Sequence, residues 1–471
     1  MHDDDLCYLP ATDLAAAIRA KALSPVEVVE AFLARIERLN PLLNAYCTLT
    51  AEAAREAARE AEAAVLAGRP LGALHGVPVS IKDLIITRGV RTTWGSKIYE
   101  HHVPEEDAPA VERLRAAGAI LLGKTNTPEL GWRGSTDNLI FGPTRNPWDP
   151  GRTAGGSGGG AAAAVAAGLG PLAVGTDGGG SIRIPASFCG IYGLKPSFGR
   201  VPIYPASAAE ALSHAGPMTR TVADAALMLE VMAGPDERDR NSLPADGAGY
   251  TGAIEGDLRG LRVAWSPDLG YAAVDPEVRA LAGAAARRFV DLGCEVEEAD
   301  PGFGDPQTAW VTLFYGSIAA RLDGYLPEWQ DRIDPGLLRT VEKLRGLTAF
   351  NFAQALFERA ALWDATRRFF ARYDLLLTPT IAVPAFELGI VGPSEVAGKP
   401  VGPMEWTPFT YPFNLTGQPA ASVPCGWTSG GLPVGLQIVG RRHADATVLR
   451  ASAAFEAACP WADRRPPFAP R

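Results

Sequence analysis

The chain is poor in the residues that build metal centres and disulfide frameworks. It holds 6 histidines and 6 cysteines in 471 residues, and no two cysteines form a C-x-x-C pair. Cys7, Cys47, Cys189, Cys294, Cys425 and Cys459 are scattered, which argues against a zinc ribbon and for the reduced thiols of a cytoplasmic protein. His101 and His102 are adjacent, but no H-x-x-x-H or H-E-x-x-H spacing occurs, so neither a metal nor a metal-dependent chemistry is expected. Long apolar runs are missing too: no segment approaches about 18 consecutive strongly apolar residues, and no membrane span is expected. Met1-His2-Asp3-Asp4-Asp5 is acidic with no apolar stretch behind it, which predicts no secretory signal. Positive charge is in deficit. Lys and Arg number 44 against 53 Asp and Glu, and the net charge of −9 argues against a nucleic-acid partner.

What remains is a soluble, core-forming composition, 47% hydrophobic and 21% charged. Ser24-Pro25-Val26-Glu27 combines an N-cap serine, proline at the first helical position and a capping-box glutamate, and predicts a helix to about Leu39. A second, Ala/Glu-rich helix is expected over Ala51–Leu66. From Gly76 the texture changes to short apolar runs broken by Gly and Pro. Val77 to Ile81 reads as a buried strand delivering Lys82 and Asp83, Ala110 to Ala117 as a helix, and Ala119 to Lys124 as the next strand. This alternation predicts an α/β fold, a central sheet with helices on both faces. Residues 305–370 carry little strand signal and read as a helical insertion. The organisation expected is one domain over 1–471: N-terminal helices to residue 70, a catalytic core over 71–235, and an insertion over 300–370 that walls part of a pocket. Loops near 131–141 and 388–412 are expected to supply the other walls.

The stretch Gly155 to Pro185 carries the chemistry. Ser157 and Ser181 each sit in a run of glycines, and glycine lets backbone N–H groups approach a ligand with no Cβ in the way. Three readings compete. Gly156-Ser157-Gly158-Gly159-Gly160-Ala161 formally matches the dinucleotide-binding G-x-G-x-x-A, but the preceding Asn146 to Gly151 is turn-rich where that fingerprint needs a strand. Gly155 to Gly159 also satisfies the G-x-S-x-G of a nucleophile elbow, which again needs a strand before it and leaves the second loop unexplained. The third reading uses both loops and a lysine. Amide hydrolysis needs a nucleophile, a base and oxyanion donors. The N–H groups of Gly178, Gly179, Gly180 and Ser181 would converge on one point, as in an anion-binding nest. A lysine serves as base once desolvation brings its pKa toward about 7–8, and Lys82 at the end of an apolar strand is placed for that.

At this point the chain resembles the amidase signature family over most of its length. The resemblance is carried by G-V-P-V-S-I-K-D (Gly76 to Asp83), G-K-T-N-T-P-E (Gly123 to Glu129), N-P-W-D-P (Asn146 to Pro150), the Gly155–Pro185 stretch and G-I-Y-G-L-K-P (Gly190 to Pro196), with Gly216-Pro217 beyond. It implies a Ser-cisSer-Lys triad with Ser181 as nucleophile, Ser157 as bridging serine after a cis peptide bond, and Lys82 as base. Thr176, Asp177 and Arg183 fall where the family braces these loops. Gly131 and Trp132 fall where related enzymes line the acyl pocket, a core aromatic being the other reading of Trp132. Gly158 and Gly178 depart from the family, which commonly has serine or another small residue at the first position and Ile or Thr at the second; looser loops are expected.

Within the resemblance two functions stand. One is a stand-alone enzyme hydrolysing linear or aryl amides, with esters or carbamates as further substrates. The other is the glutaminase subunit of a tRNA-dependent amidotransferase. That subunit typically has Gln where this chain has Ile184, and Asp-Gln before an Ile-Gly-Pro segment where this chain has Ser213-His214-Ala215-Gly216-Pro217. The stand-alone enzyme is the preferred expectation, with a small-molecule amide substrate, no cofactor, and a homodimer left open.

Overall fold

The short apolar runs close into strands because both faces of most of them are buried, where β-branched and leucine side chains pack well. The computed structural model describes residues 3–468. Its strands are β1 (Tyr46–Leu49), β2 (Pro78–Lys82), β3 (Ile120–Thr125), β4 (Leu172–Asp177), β5 (Tyr192–Lys195), β6 (His214–Thr219), β7 (Arg262–Trp265), β8 (Glu295–Glu298), β9 (Leu375–Pro379), β10 (Glu395–Val396), β11 (Lys399–Pro400), β12 (Ala420–Trp427) and β13 (Pro433–Gly440). β10 and β11 form a ribbon of their own. The others make one 11-stranded sheet in the order β1-β3-β2-β4-β6-β5-β12-β13-β9-β7-β8. β2 runs parallel to β3 and β4, and β7 parallel to β8 and β9; the remaining pairs are antiparallel. The fold is α/β with a mixed sheet flanked by helices.

The capping box at Ser24 and Glu27 is present, and its helix runs Pro25–Leu43, one turn further than expected, to a left-handed Asn44 at φ 52°. The helix Gly159–Ala166 begins two residues earlier than the alanine run suggests and is buried on every side. Gly160 explains how it fits: a Cβ there would lie 2.3 Å from the Asn126 nitrogen and 2.6 Å from the Ala45 carbonyl oxygen. The helix rests on β4, β6 and β2 and against the helix Arg183–Cys189, so both serine loops hang from one packed unit.

A second apolar cluster lies outside the sheet's core. It gathers Trp310, Phe314, Ile318, Leu337 and Leu362 from the helices Gln307–Leu322, Pro335–Leu344 and Ala349–Phe370, together with Trp132 and Tyr411. Among the described residues no helix is long and apolar enough to cross a membrane, and the six cysteines are free thiols.

Candidate active site

β2 and β4 are parallel neighbours, so their C-terminal ends open on the same edge of the sheet. Lys82 ends β2, whose five residues are all buried. Its Nζ donates to Ser157 Oγ at 2.8 Å, to Thr176 Oγ1 at 2.9 Å and to the Thr176 carbonyl at 3.2 Å. Among the described residues no carboxylate touches it. Burial lowers its pKa to about 7, and the charge of Asp177 offsets only part of that. Thr176, expected to brace the loops, is thus a direct partner of the lysine.

Ser157 follows a cis peptide from Gly156 and is 2% exposed. Ser181 stands between β4 and the helix Arg183–Cys189, and its carbonyl accepts the Gly158 N–H at 3.1 Å, which ties the two loops together. The side chains of Ser157, Thr176 and Ser181 face one cleft. The Ser181 hydroxyl makes no hydrogen bond among the described residues, so the Ser157–Lys82 contact is formed and a Ser157–Ser181 contact is not; catalytic hydrogen bonds often tighten only once substrate is bound.

Asp177 organises the second loop. It accepts from the N–H groups of Gly180 (2.7 Å) and Ile182 (3.2 Å), from Arg183 Nε (3.0 Å) and Nη2 (2.9 Å), and from Asn414 Nδ2 (2.9 Å). Arg183 gives its remaining donors to the Thr410 carbonyl, Gln437 Oε1 and Asn414 Oδ1 at 2.7–2.9 Å. Both side chains are fully buried. Burial alone would raise the Asp177 pKa, but the Arg183 guanidinium outweighs it and holds the carboxyl well below the usual range.

This network narrows the expected donor set. The Gly180 N–H is committed to Asp177, so it does not point at a substrate oxygen as the sequence suggested. The Gly178 carbonyl accepts Trp310 Nε1 at 2.9 Å, and the Gly179 carbonyl accepts Thr410 Oγ1 at 2.7 Å. In a trans peptide the N–H points opposite the carbonyl, so Trp310 also fixes where the Gly179 N–H is directed. The N–H groups of Gly178, Gly179 and Ser181 have no partner among the described residues. The two extra glycines sit against close neighbours. A Cβ at Gly158 would sit 2.6 Å from the Ser181 carbonyl oxygen, and one at Gly178 would sit 2.8 Å from the Phe314 ring. The first contact is with backbone and requires glycine; the second is with a side chain, which a small shift of the Phe314 ring would relieve.

Gly131 lines the cleft at φ 73°, and a Cβ there would come within 3.1 Å of Ser157 Oγ. Trp132 does not line it, contrary to the pocket-lining reading. Leu130 at φ 51° and Gly131 turn the chain, and the indole goes into the second cluster against Gly336, 5% exposed. Glu129 holds that corner: its carboxylate accepts Ser96 Oγ and the Asp334 N–H, each at 2.6 Å. Burial pushes its pKa up to about 7.

The cleft has about 1000 Å³ of empty space, its open mouth included, with walls that are mostly apolar. Phe314, Ile318 and Arg321 come from the helix Gln307–Leu322, as the helical stretch was expected to contribute. Further lining comes from 202–209 and from Leu84, Ile85, Trp94, Ala108 and Ala110; of the loops expected, 131–141 contributes Gly131 alone and 388–412 nothing. Trp406, from the latter segment, stacks on Phe188 beneath the site. Trp310, Thr410, Asn414 and Gln437 were not singled out by the sequence, because each reaches the loops across more than 130 positions and no local pattern marks it. Among the described residues, no group of three or more His, Cys, Asp or Glu converges to hold a metal ion.

A buried lysine on a serine beside a second serine, under glycine N–H donors, is equipped for hydrolytic acyl transfer. The family model described as Amidase matches residues 27–449, and the chain belongs to that family. It is an amide-hydrolysing enzyme. It is 44% identical to an acylamidase of Rhodococcus erythropolis, over 99% of this chain and 98% of that protein. It is 40% identical to a glutamyl-tRNA(Gln) amidotransferase subunit of Moorella thermoacetica, over 98% of this chain and 99% of that one. Among solved structures, a bacterial aryl acylamidase of the amidase signature family superposes with a TM-score of 0.91 at 37% identity, covering 96% of this chain and 97% of that chain.

Proposed function

We propose that the protein hydrolyses linear and aryl amides, with esters and carbamates as further substrates, through an acyl-enzyme on Ser181. The observation that carries this reading is the 2.8 Å contact between Lys82 Nζ and Ser157 Oγ, made by a lysine whose pKa burial lowers to about 7. A neutral amine keeps two N–H bonds, for which Thr176 supplies two acceptors, and one lone pair, left for the Ser157 proton. Ser157 in turn takes the proton of Ser181 as the Ser181 oxygen attacks the amide carbon. The oxyanion forms under the N–H groups of Gly178, Gly179 and Ser181, each such donor contributing about 2.7–4 kcal/mol in comparable sites. Collapse breaks the C–N bond, and the proton held on Lys82 reaches the leaving nitrogen through Ser157. Water, deprotonated by the same relay, then releases the acid and restores the serine.

The glutaminase-subunit reading has the Moorella relative in its favour. Against it stand Ile184 in place of glutamine and a cleft whose lining includes no carboxylate to pair with an α-ammonium group. The test is labelling with a serine-directed fluorophosphonate, followed by peptide mapping and an amide panel. Label on Ser181 with turnover of anilides is expected. Label on Ser157, or turnover of glutamine alone, overturns the reading.

A further inference from the structure

Arg321 is the one charged side chain among those lining the cleft, in a chain of net charge −9. It is half-buried, and its guanidinium lies over the Trp94 ring at 4.9 Å from the centroid. No carboxylate pairs with it among the described residues. Asp323, two positions on, is taken by Arg345 at 3.1 Å. The phenol next to it, Tyr99, is bonded to Tyr325 at 3.1 Å, and burial keeps it neutral with a pKa of about 12. A guanidinium drawn partly out of water and stacked on an indole keeps its plane and its fork of donors but has no anion to receive them.

The helix Gln307–Leu322 sets its distance from the chemistry. Trp310, Phe314, Ile318 and Arg321 follow helical spacing along one face. Trp310 holds the Gly178 carbonyl and Phe314 packs on Gly178, so that end of the face lies at the oxyanion loop. At about 1.5 Å per residue, Arg321 stands roughly 10 Å further along the helix than Phe314. Most of the remaining lining is apolar, Leu84, Leu130, Ile203 and Ala208 among it.

We propose that the cleft selects amides bearing a carboxylate at the end remote from the scissile bond, the carboxylate pairing with Arg321 and an apolar spacer filling the walls between. This rests on amide hydrolysis at Ser181. Amino-acid amides are not the preferred class, since the lining that supplies the cation supplies no anion for an ammonium.

The experiment pairs anilides that end in a carboxylate, on the acyl chain or on the ring, with methyl-terminated counterparts. Wild-type kcat/KM is expected to favour the carboxylate member by about ten- to hundredfold, mainly through KM. Arg321→Gln removes the preference, lowering kcat/KM about ten- to hundredfold more for the carboxylate member than for its methyl-terminated counterpart, and Arg321→Lys keeps part of it. Calorimetric binding of the same pairs to Ser181→Ala reads the subsite without turnover. Preferential binding by an enzyme that hydrolyses nothing sinks the amidase reading and leaves the subsite standing. Equal binding of the two members, or a loss in Arg321→Gln that is the same for both, overturns the proposal.

Discussion

Trp310 donates its indole N–H to the carbonyl of Gly178 at 2.9 Å, across 132 positions of sequence, and so aims the backbone of the Ser181 loop from outside the sheet. Trp310→Phe keeps the stacking on Phe314 and Tyr411 and deletes only the donor. The expected result is a fall in kcat of about tenfold with KM nearly unchanged, because an oxyanion donor acts chiefly in the transition state. A change in KM alone would assign Trp310 to ground-state binding.

In the proposed relay Lys82 is the base, and a lysine works as a base only when neutral. With its pKa at about 7, kcat/KM rises with pH through that value and then levels. Lys82→Ala abolishes turnover, and a variant with parental rate would remove the lysine from the mechanism. Stability moves the other way. A lysine whose folded pKa lies below its unfolded value costs the fold most below about pH 7, and the cost fades as pH climbs toward about 10.4. At neutral pH that cost is about 4 kcal/mol, and the unpartnered Thr176 carbonyl in Lys82→Met returns about 1–3 of it. Lys82→Met is therefore expected to be inactive yet more stable by about 2 kcal/mol in urea at pH 7, with the gain shrinking toward pH 10.

The buried pair Asp177–Arg183 gives the opposite pH signature. A carboxylate held below its usual pKa contributes stability that is present above about pH 4 and lost as the medium becomes more acidic. Arg183→Met leaves that carboxylate buried without its cation, at a cost of about 3–5 kcal/mol by urea unfolding at pH 7. Adding Asp177→Asn to it should recover part of the loss, and a strictly additive double variant would mean the two side chains do not act as a pair.

Glu129 is raised to about 7 by burial, so its contribution falls as pH rises from about 4.3 through 7. Glu129→Gln suits the site: the amide oxygen accepts the Asp334 N–H and the amide nitrogen donates to Ser96, whose hydroxyl can turn. Glu129→Gln should cost less than about 1 kcal/mol and flatten the thermal stability profile over that range, whereas Glu129→Ala leaves both donors unpaired and costs about 2–4 kcal/mol. An unchanged profile in Glu129→Gln would mean the carboxyl titrates elsewhere.

That Lys82, Ser157 and Ser181 come together was legible because each lies in a short motif whose glycines and flanking strand say what the backbone must do. β6 was not: His214 to Thr219 includes Gly216 and Pro217, which break any strand pattern, and only burial on both faces makes it a strand. β8, Glu-Val-Glu-Glu at the sheet edge, reads as a polar stretch. Trp132 stays open between pocket and core at the level of sequence, because an aromatic beside a motif looks alike in both. The left-handed turn at Leu130 that decides between them leaves no mark in the residue types. The substitution of 202–209 for 388–412 as cleft wall is likewise a matter of tertiary packing.

Lys82, Ser157 and Ser181 all lie before position 182, yet Arg183, which holds Asp177 beneath the second loop, is gripped by Thr410, Asn414 and Gln437. A chain cut before Thr410 would keep all three side chains and lose three of the groups that hold Arg183 in place. The segment from Thr410 onward, remote in sequence from Ser157 and Ser181, is part of what gives the two serine loops an address.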